Sequence, residues 1–439
     1  MKKKMPFNPS LGLALLFVAT IVLGTILLKL PFSTHRSISW LTAFFTATSS
    51  ITSSGLAVID LPKTFTPFGL TIIACLIQIG GIGVMTFAVV IYILIGKKLS
   101  IEQLMLIQEA LNQNSLRGLL KLARRLFFFS IFFEGFFCIL LCFRLIPRLG
   151  FGKGIINGVF LSISAFNNAG ITLTSDNLMA YAGDPVINIL ISASFIIGGI
   201  GFVVISDIWD KKRWHEFILH TKLIIISTAV INIIAFVIIL SLEYSNPKTL
   251  GPLTHGEKFL AGYFQAVTPR SAGFNTLNTG DLQPATLFFM MILMFIGAGS
   301  ISTGGGIKLS TFASLLVMMV GYIRKKNEAV LLERTIHDNQ IFKAMTLSLL
   351  SIVTIFIAVF ALLISERQFS FLQIAFETVS AFGTVGLSTG ITPQLSSFGQ
   401  CVIALIMILG KLGPLTIVLS LTNREKSKIR YPDGKIFIG

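Results

Sequence analysis

The sequence predicts an all-α integral membrane protein built as four tandem helix–pore-loop–helix repeats around a pseudo-fourfold central pore, with eight spanning helices and four re-entrant half-helices. Three observations carry this: the composition, the length of the apolar runs, and an internal repeat. Of the 439 residues, 54% are apolar and 12% charged, and the mean hydropathy is +0.84. A soluble domain carries about a quarter charged residues. Several apolar runs exceed the roughly 18 residues that mark a spanning helix.

Spanning candidates lie near 10–30, 67–95, 126–146, 186–207, 220–242, 285–320, 343–364 and 397–421. Within each successive pair sits a shorter semi-polar segment ending in glycine: Leu41–Gly55, Ile155–Gly170, Phe259–Gly273 and Phe371–Gly386. Each is too short to span and too apolar for an ordinary loop, as expected of a helix that enters the membrane part way and returns. Aligned on the last glycine, they read Thr-Ala-Thr-Ser-Ser-Ile-Thr-Ser-Ser-Gly55, Leu-Ser-Ile-Ser-Ala-Phe-Asn-Asn-Ala-Gly170, Phe-Gln-Ala-Val-Thr-Pro-Arg-Ser-Ala-Gly273 and Glu-Thr-Val-Ser-Ala-Phe-Gly-Thr-Val-Gly386. A second glycine mark follows each on the next helix, beginning at Gly80, Gly198, Gly297 and Gly410, 25, 28, 24 and 24 residues on. Two marks in register define a repeat.

The chain therefore divides into repeat 1 (1–97), a connection (98–125), repeat 2 (126–208), a connection (209–219), repeat 3 (220–323), a connection (324–342), repeat 4 (343–422) and a C-terminal tail (423–439). Lys+Arg number 35 against 19 Asp+Glu, a net +16. In a soluble protein this balance would suggest nucleic acid; here retention of Lys and Arg in cytoplasmic loops accounts for it, and no nucleic-acid partner is expected. The tails with the stretches 97–125, 211–222 and 324–343 carry 23 Lys and Arg, and the opposite side 10. Both termini are thus expected in the cytoplasm, with the four half-helices entering from outside the plasma membrane. Lys2, Lys3 and Lys4 precede a first helix too long for a signal core. Ser100-Ile-Glu-Gln103 has the spacing of a capping box opening an amphipathic stretch. This stretch and the polar segment Arg324–Lys343 are candidate docking surfaces or plain solvated connectors.

Four copies of one unit can close a ring lined by four similar loops. A cation crossing it must exchange hydration water for other oxygens, which backbone carbonyls supply. Glycine permits the left-handed angles that aim successive carbonyls at an axis. The residues before each glycine are small or polar: Thr52, Ser53 and Ser54 before Gly55, Asn167, Asn168 and Ala169 before Gly170, Ser271 and Ala272 before Gly273, and Thr384 and Val385 before Gly386. The absence of Asp and Glu from these last positions argues against a divalent-cation ring and fits a carbonyl-lined monovalent-cation site. The second glycine set reads as close packing behind the filter. Glu134 and Glu377, within apolar segments, could bind a coupling ion or brace a helix end. Arg270, expected just outside the third filter strand, could be held by a carboxylate or set the outer field. His35, His215, His220, His255 and His337 share no metal-ligand spacing, and all four cysteines fall in apolar runs. A secondary transporter of a small organic or anionic solute is the alternative, though such folds normally show two inverted halves. No nucleophile–base pair or Walker sequence suggests an enzyme.

Thr384-Val-Gly386 after a half-helix, the degenerate copies ending at Gly55, Gly170 and Gly273, and Ile429-Arg-Tyr-Pro-Asp-Gly434 near the end together resemble the Ktr/Trk/HKT superfamily of potassium transporters, and within it the bacterial Ktr membrane subunits. The resemblance implies K⁺ uptake by a homodimer with one pore per protomer, Na⁺-dependent in many members and regulated by a cytoplasmic ring of nucleotide-binding RCK subunits. It makes Gly55, Gly170, Gly273 and Gly386 the filter glycines. At the first of these a Ser is associated with Na⁺ permeation, so Gly55 implies K⁺ preference. It also places an intramembrane gate at 297–308, where Gly297, Gly299, Ser300, Ser302, Thr303, Gly304, Gly305 and Gly306 precede Lys308. Five glycines and three hydroxyls do not hold a helix unaided. The residue that touches this loop from the fourth repeat is usually Arg, and here it is Lys411, which lacks the planar fork of a guanidinium.

Overall fold

Cap residues and prolines start the helices where the apolar runs begin. Asp184 precedes Pro185 and Thr66 precedes Pro67, each side chain accepting from backbone N–H groups of the first turn, while Gln283 precedes Pro284 and Ser396 caps the helix from Ser397. Proline at the first helical position loses no hydrogen bond and arrives with a helical φ. Capping boxes at Thr254/Glu257 and Ser370/Gln373 open two of the half-helices.

The computed structural model describes residues 9–84, 86, 119–325 and 328–413. Apart from a two-stranded hairpin it is helical. The elements are α1 (Pro9–Lys29), α2 (Trp40–Ile51), α3 (Pro67–Ile82), α4 (Leu119–Leu149), α5 (Phe151–Phe166), α6 (Pro185–Ile200), α7 (Phe202–Lys211), α8 (Leu219–Glu243), α9 (His255–Val267), α10 (Pro284–Phe295), α11 (Leu309–Ile323), β1 (Val330–Leu331), β2 (Arg334–Thr335), α12 (Asp338–Ser365), α13 (Phe371–Gly383) and α14 (Ser397–Leu412). The capping box at Ser100, most of the 98–125 connection, the N-terminal lysines and the 423–439 tail lie outside the described residues.

Among the described residues four single helices are long and apolar enough to cross a membrane, α1, α4, α8 and α12, and the bent pair α6–α7 is a fifth if counted as one span. Their outer faces carry exposed Leu15, Leu23, Phe143, Ile233, Phe356 and Phe360, a pattern suited to lipid and adverse in water. The half-helices α2, α5, α9 and α13 are 12, 16, 13 and 13 residues long. At 1.5 Å per residue they reach about 18–24 Å, less than the ~30 Å hydrocarbon core. They form the buried centre, and in α13 every residue from Ile374 to Gly383 is buried.

The second helix of each repeat departs from expectation. Continuous spans were expected at 67–95, 186–207 and 397–421, with a break only in 285–320. Instead α3, α6 and α14 run 16 residues each and end at Gly83, Gly201 and Gly413, with φ +93°, +105° and +83°. After Gly201 the chain turns by 91° into α7. The apolar run continues through each break, so hydropathy alone sees one span; a left-handed glycine ends the helix. In repeat 3 the break spans 296–308 between α10 and α11. The connection 324–342 is also more ordered than a plain linker, since β1 and β2 pair antiparallel within it.

The far end of each long helix is fastened to the start of its repeat's second helix, by different chemistry each time. In repeat 1 Thr66 donates its N–H to Ser33 O and its hydroxyl to Phe32 O. In repeat 2 Arg144 and Arg148 pair with Asp184 at 3.0 and 2.8 Å. In repeat 3 Glu243, fully buried, accepts from Gln283 N at 2.9 Å and Thr286 Oγ1 at 2.5 Å. In repeat 4 Glu366 accepts from the Ser396 N–H and hydroxyl.

Candidate functional site

The four half-helices end together, and the last turns of three of them wrap alike. Ser54 N, Ala169 N and Val385 N donate to carbonyls five residues back, Ser49 O, Ser164 O and Ser380 O, at 2.8, 2.8 and 2.9 Å. Ser53, Asn168 and Thr384 take φ of +52°, +54° and +48°, and the following glycine is also left-handed. The third copy differs. Thr268-Pro269-Arg270 forms a short 3-10 turn, Ala272 N reaches only to Thr268 O, and Ser271 takes φ −178° and ψ −4° rather than a left-handed conformation. Pro269 is the sequence feature that separates this copy from the others.

The four glycines form a closed ring. Gly55, Gly170, Gly273 and Gly386 have φ of +86°, +65°, +70° and +93°. A Cβ on Gly55 would strike Ala169 O, one on Gly170 Ala272 O, one on Gly273 Val385 O, and one on Gly386 Ser54 O. Each glycine thus abuts the carbonyl preceding the next repeat's glycine, and the fourth returns to the first. Thr52, Ser53, Ser54, Asn168, Ala169, Ser271, Ala272, Thr384 and Val385 are all buried around it. The C-terminal ends of four helices, which carry partial negative charge, converge here. Carbonyl oxygens and negative helix ends favour a cation without a carboxylate.

The second glycine set meets these half-helix ends. A Cβ on Gly80, Gly198 or Gly410 would strike Ile51 O, Phe166 O or Phe382 O, the last or penultimate carbonyl of α2, α5 or α13. Each second helix also reaches the neighbouring repeat: Gly81 lies against the Asn167 side chain, Gly199 faces Ser271 Oγ, Gly305 lies against Thr384, and Lys411 Nζ stands 3.5 Å from Ser53 Oγ.

The loop 297–308 lies directly against the ring, Gly304 on Ser271 and Gly305 on Thr384. Its backbone is held in part from its own neck and in part from the α6–α7 elbow. Gly297 N donates to Ile307 O and Leu309 N to Ala298 O, while Gly299 N donates to Gly199 O at 2.8 Å and Phe202 N to Ile301 O at 2.9 Å. The elbow's break frees the very groups that hold the loop, which no local reading of the sequence would find. Side chains add to this: Thr303 Oγ1 takes a 2.5 Å hydrogen bond from Asn168 Nδ2, Ser300 and Ser310 share one at 2.6 Å, Ser302 bonds Gly299 O, and Gly306 holds φ +70°. Asn168 Oδ1 in turn accepts from Ser271 Oγ at 3.1 Å. Lys308 Nζ donates to Gly304 O at 2.5 Å and Lys411 Nζ to Thr303 O at 2.6 Å. Two lysine side chains thus hold the backbone of the loop beside the glycine ring.

Of the two intramembrane carboxylates singled out, Glu134 receives Gln78 Nε2, Ser130 Oγ and Asn167 Nδ2 at 2.8–3.0 Å. Glu377 receives Ser388 Oγ, Thr389 N and Thr392 Oγ1 at 2.6–2.9 Å. Both brace their neighbours. Arg270 is not placed as expected: it is buried behind the third turn and donates to Asn232 Oδ1 at 3.2 Å, an amide rather than a carboxylate. Sequence reasoning missed Gln78, Asn232, Glu243 and Glu366. The last two lie at helix ends, where an acceptor for the next helix's first N–H groups is a legible signal.

Comparison with known proteins places the chain in a family. The profile of the family described as TrkH, cation transport protein, matches residues 4–429. A Bacillus subtilis protein named Ktr system potassium uptake protein B is 50% identical over 433 residues, covering 99% of this chain and 97% of its own. A Vibrio alginolyticus protein of the same name is 38% identical, covering 96% and 93%. An Enterococcus hirae protein named potassium/sodium uptake protein NtpJ is 34% identical, covering 96% and 95%. The crystal structure of the potassium transporter TrkH from Vibrio parahaemolyticus superposes with a TM-score of 0.75 over 96% of this chain and 86% of that one, at 17% identity, a likeness of fold.

Proposed function

This chain belongs to the TrkH cation transport protein family, and on that premise we propose that it takes up K⁺ across the plasma membrane. The path is a central pseudo-fourfold pore between the four repeats. Its filter is lined by carbonyls of Thr52–Gly55, Asn168–Gly170, Ser271–Gly273 and Thr384–Gly386. The loop 297–308 is the gate, pinned by Lys308 and Lys411. The observation that carries this reading is the closed ring, in which every glycine sits where only a hydrogen fits beside the next repeat's carbonyl. Such a ring coordinates a dehydrated monovalent cation by backbone oxygens alone.

The finer parts rest on the family likeness. The relatives named as Ktr system proteins support a membrane subunit, here a homodimer, controlled by a cytoplasmic nucleotide-binding RCK ring. The relative named a potassium/sodium uptake protein supports Na⁺ as a coupling or activating ion. The distribution of Lys and Arg supports cytoplasmic termini.

The test is thermal stabilisation of the purified protein by K⁺, Rb⁺, Na⁺ and Li⁺ at equal ionic strength, since a ligand of the folded state raises Tm by mass action. K⁺ and Rb⁺ are expected to raise Tm selectively, and Gly386→Ser to abolish the effect. A response that does not distinguish the cations, or that survives the substitution, overturns the filter and favours an organic solute.

A further inference from the structure

The third filter turn buries a guanidinium that no carboxylate among the described residues pairs with. Arg270 is 8% exposed. Its Nη1 donates to Asn232 Oδ1, but its Nε is buried without an acceptor. Among the described residues no carboxylate pairs with it. Arginine does not shed its proton in proteins, so burial cannot be relieved by neutralisation.

Beside the guanidinium lies a cavity of about 20 Å³, lined also by Thr228, Asn232, Ser271, Gly199 and Ala298. It has room for one water-sized occupant. Thr228 Oγ1 is buried there and, like Arg270 Nε, has no partner. Water would meet the hydrogen-bonding need of both groups yet leave the charge with only the partial compensation of the α9 C-terminus, and an ion without a paired counter-ion is unfavourable in a low-dielectric setting. A small anion meets both needs.

We propose that this cavity is a binding site for a single small monovalent anion, chloride being the physiological species, held by Arg270 Nε and the Thr228 hydroxyl. The walls connect it to three moving or conducting parts: Ser271 belongs to the third filter turn, Ala298 to the loop and Gly199 to the elbow that holds it. An anion here cancels the positive field that Arg270 would otherwise direct at the filter, and it ties these three segments together.

The experiment is a halide titration of the full-length, detergent-purified protein at fixed K⁺, exchanging gluconate for chloride or bromide. A saturable rise in Tm of about 5 °C is expected, absent with sulfate, which is too large for the cavity. Thr228→Val, which keeps the shape and removes the hydroxyl, should shift the halide midpoint at least about ten-fold, a change a general salt effect would not produce. In wild-type crystals soaked in bromide, an anomalous peak is expected within hydrogen-bond distance of Arg270 Nε. Equal Tm in gluconate and chloride, or no bromide peak there, overturns the proposal, and the second readout stands even if the variant fails to fold. Because K⁺ is held constant, the outcome is independent of whether the filter binds K⁺.

Discussion

Lys411 meets the loop through one carbonyl, Thr303 O, with Ser53 Oγ at the edge of its reach. A charged donor on a carbonyl is worth about 1.5–3 kcal/mol, so Lys411→Ala should raise Rb⁺ flux into proteoliposomes roughly ten-fold or more by loosening the closed gate. Unchanged flux would remove Lys411 from the mechanism. The family resemblance singles out Lys411 as the residue that touches the loop from the fourth repeat, and a charge at that depth is costly. Which carbonyl of the loop it meets is not legible in the sequence, because Thr303 is 108 residues away. The ring makes a sharper demand. A Cβ at Gly273 would overlap Val385 O, whereas one at Gly135 on α4 would meet nothing. Gly273→Ala is therefore expected to reduce flux to background and lower Tm, while Gly135→Ala leaves flux intact and stabilises slightly, by about 0.5–1 kcal/mol. Normal flux through Gly273→Ala would contradict the filter assignment.

At the scale of elements, the α6–α7 elbow is the loop's support. Gly201 turns at φ +105°, and a Cβ there would press on Ser300 O. Gly201→Ala should strain the elbow, weaken the Gly299–Gly199 and Phe202–Ile301 hydrogen bonds, and raise Rb⁺ flux in the same direction as Lys411→Ala. Because both changes act on one loop, the double variant should show less than the product of the two increases. Full multiplicativity would mean that the elbow and Lys411 act on different parts. The uninterrupted apolar run 186–207 hid this element. Hydropathy reports what is dry, and only a backbone angle reports where a helix turns.

Across the whole molecule, the repeats share a plan and differ in their fastenings. Glu243 gathers Asn246, Thr249, Gln283 and Thr286, and Glu366 gathers Ser396. Alanine at Glu243 leaves the buried Asn246, Thr249 and Thr286 donors unpaired, a loss of about 2–4 kcal/mol, with a smaller effect expected at Glu366, whose Ser396 partner is exposed and open to water. The two lie in different repeats without shared partners, so their Tm losses should add in the double variant. Strong non-additivity in thermal unfolding would show that the repeats do not carry their fastenings separately.

The sequence by itself determined an apolar helical chain with two glycine marks repeated four times and a segment at 297–308 too rich in glycine for a helix. These properties are local, resting on run length, spacing and the conformational freedom of particular residues. Only the tertiary structure decided which carbonyl each glycine faces, that Arg270 turns inward to an amide, that Glu134 and Glu377 are occupied by neighbouring donors, and that the freed backbone of one repeat holds the loop of the next. Those pairings join residues up to several repeats apart. The glycine–carbonyl contacts and the loop's bonds to the elbow exist only once the ring has closed, because closure alone brings the ends of four separate half-helices together.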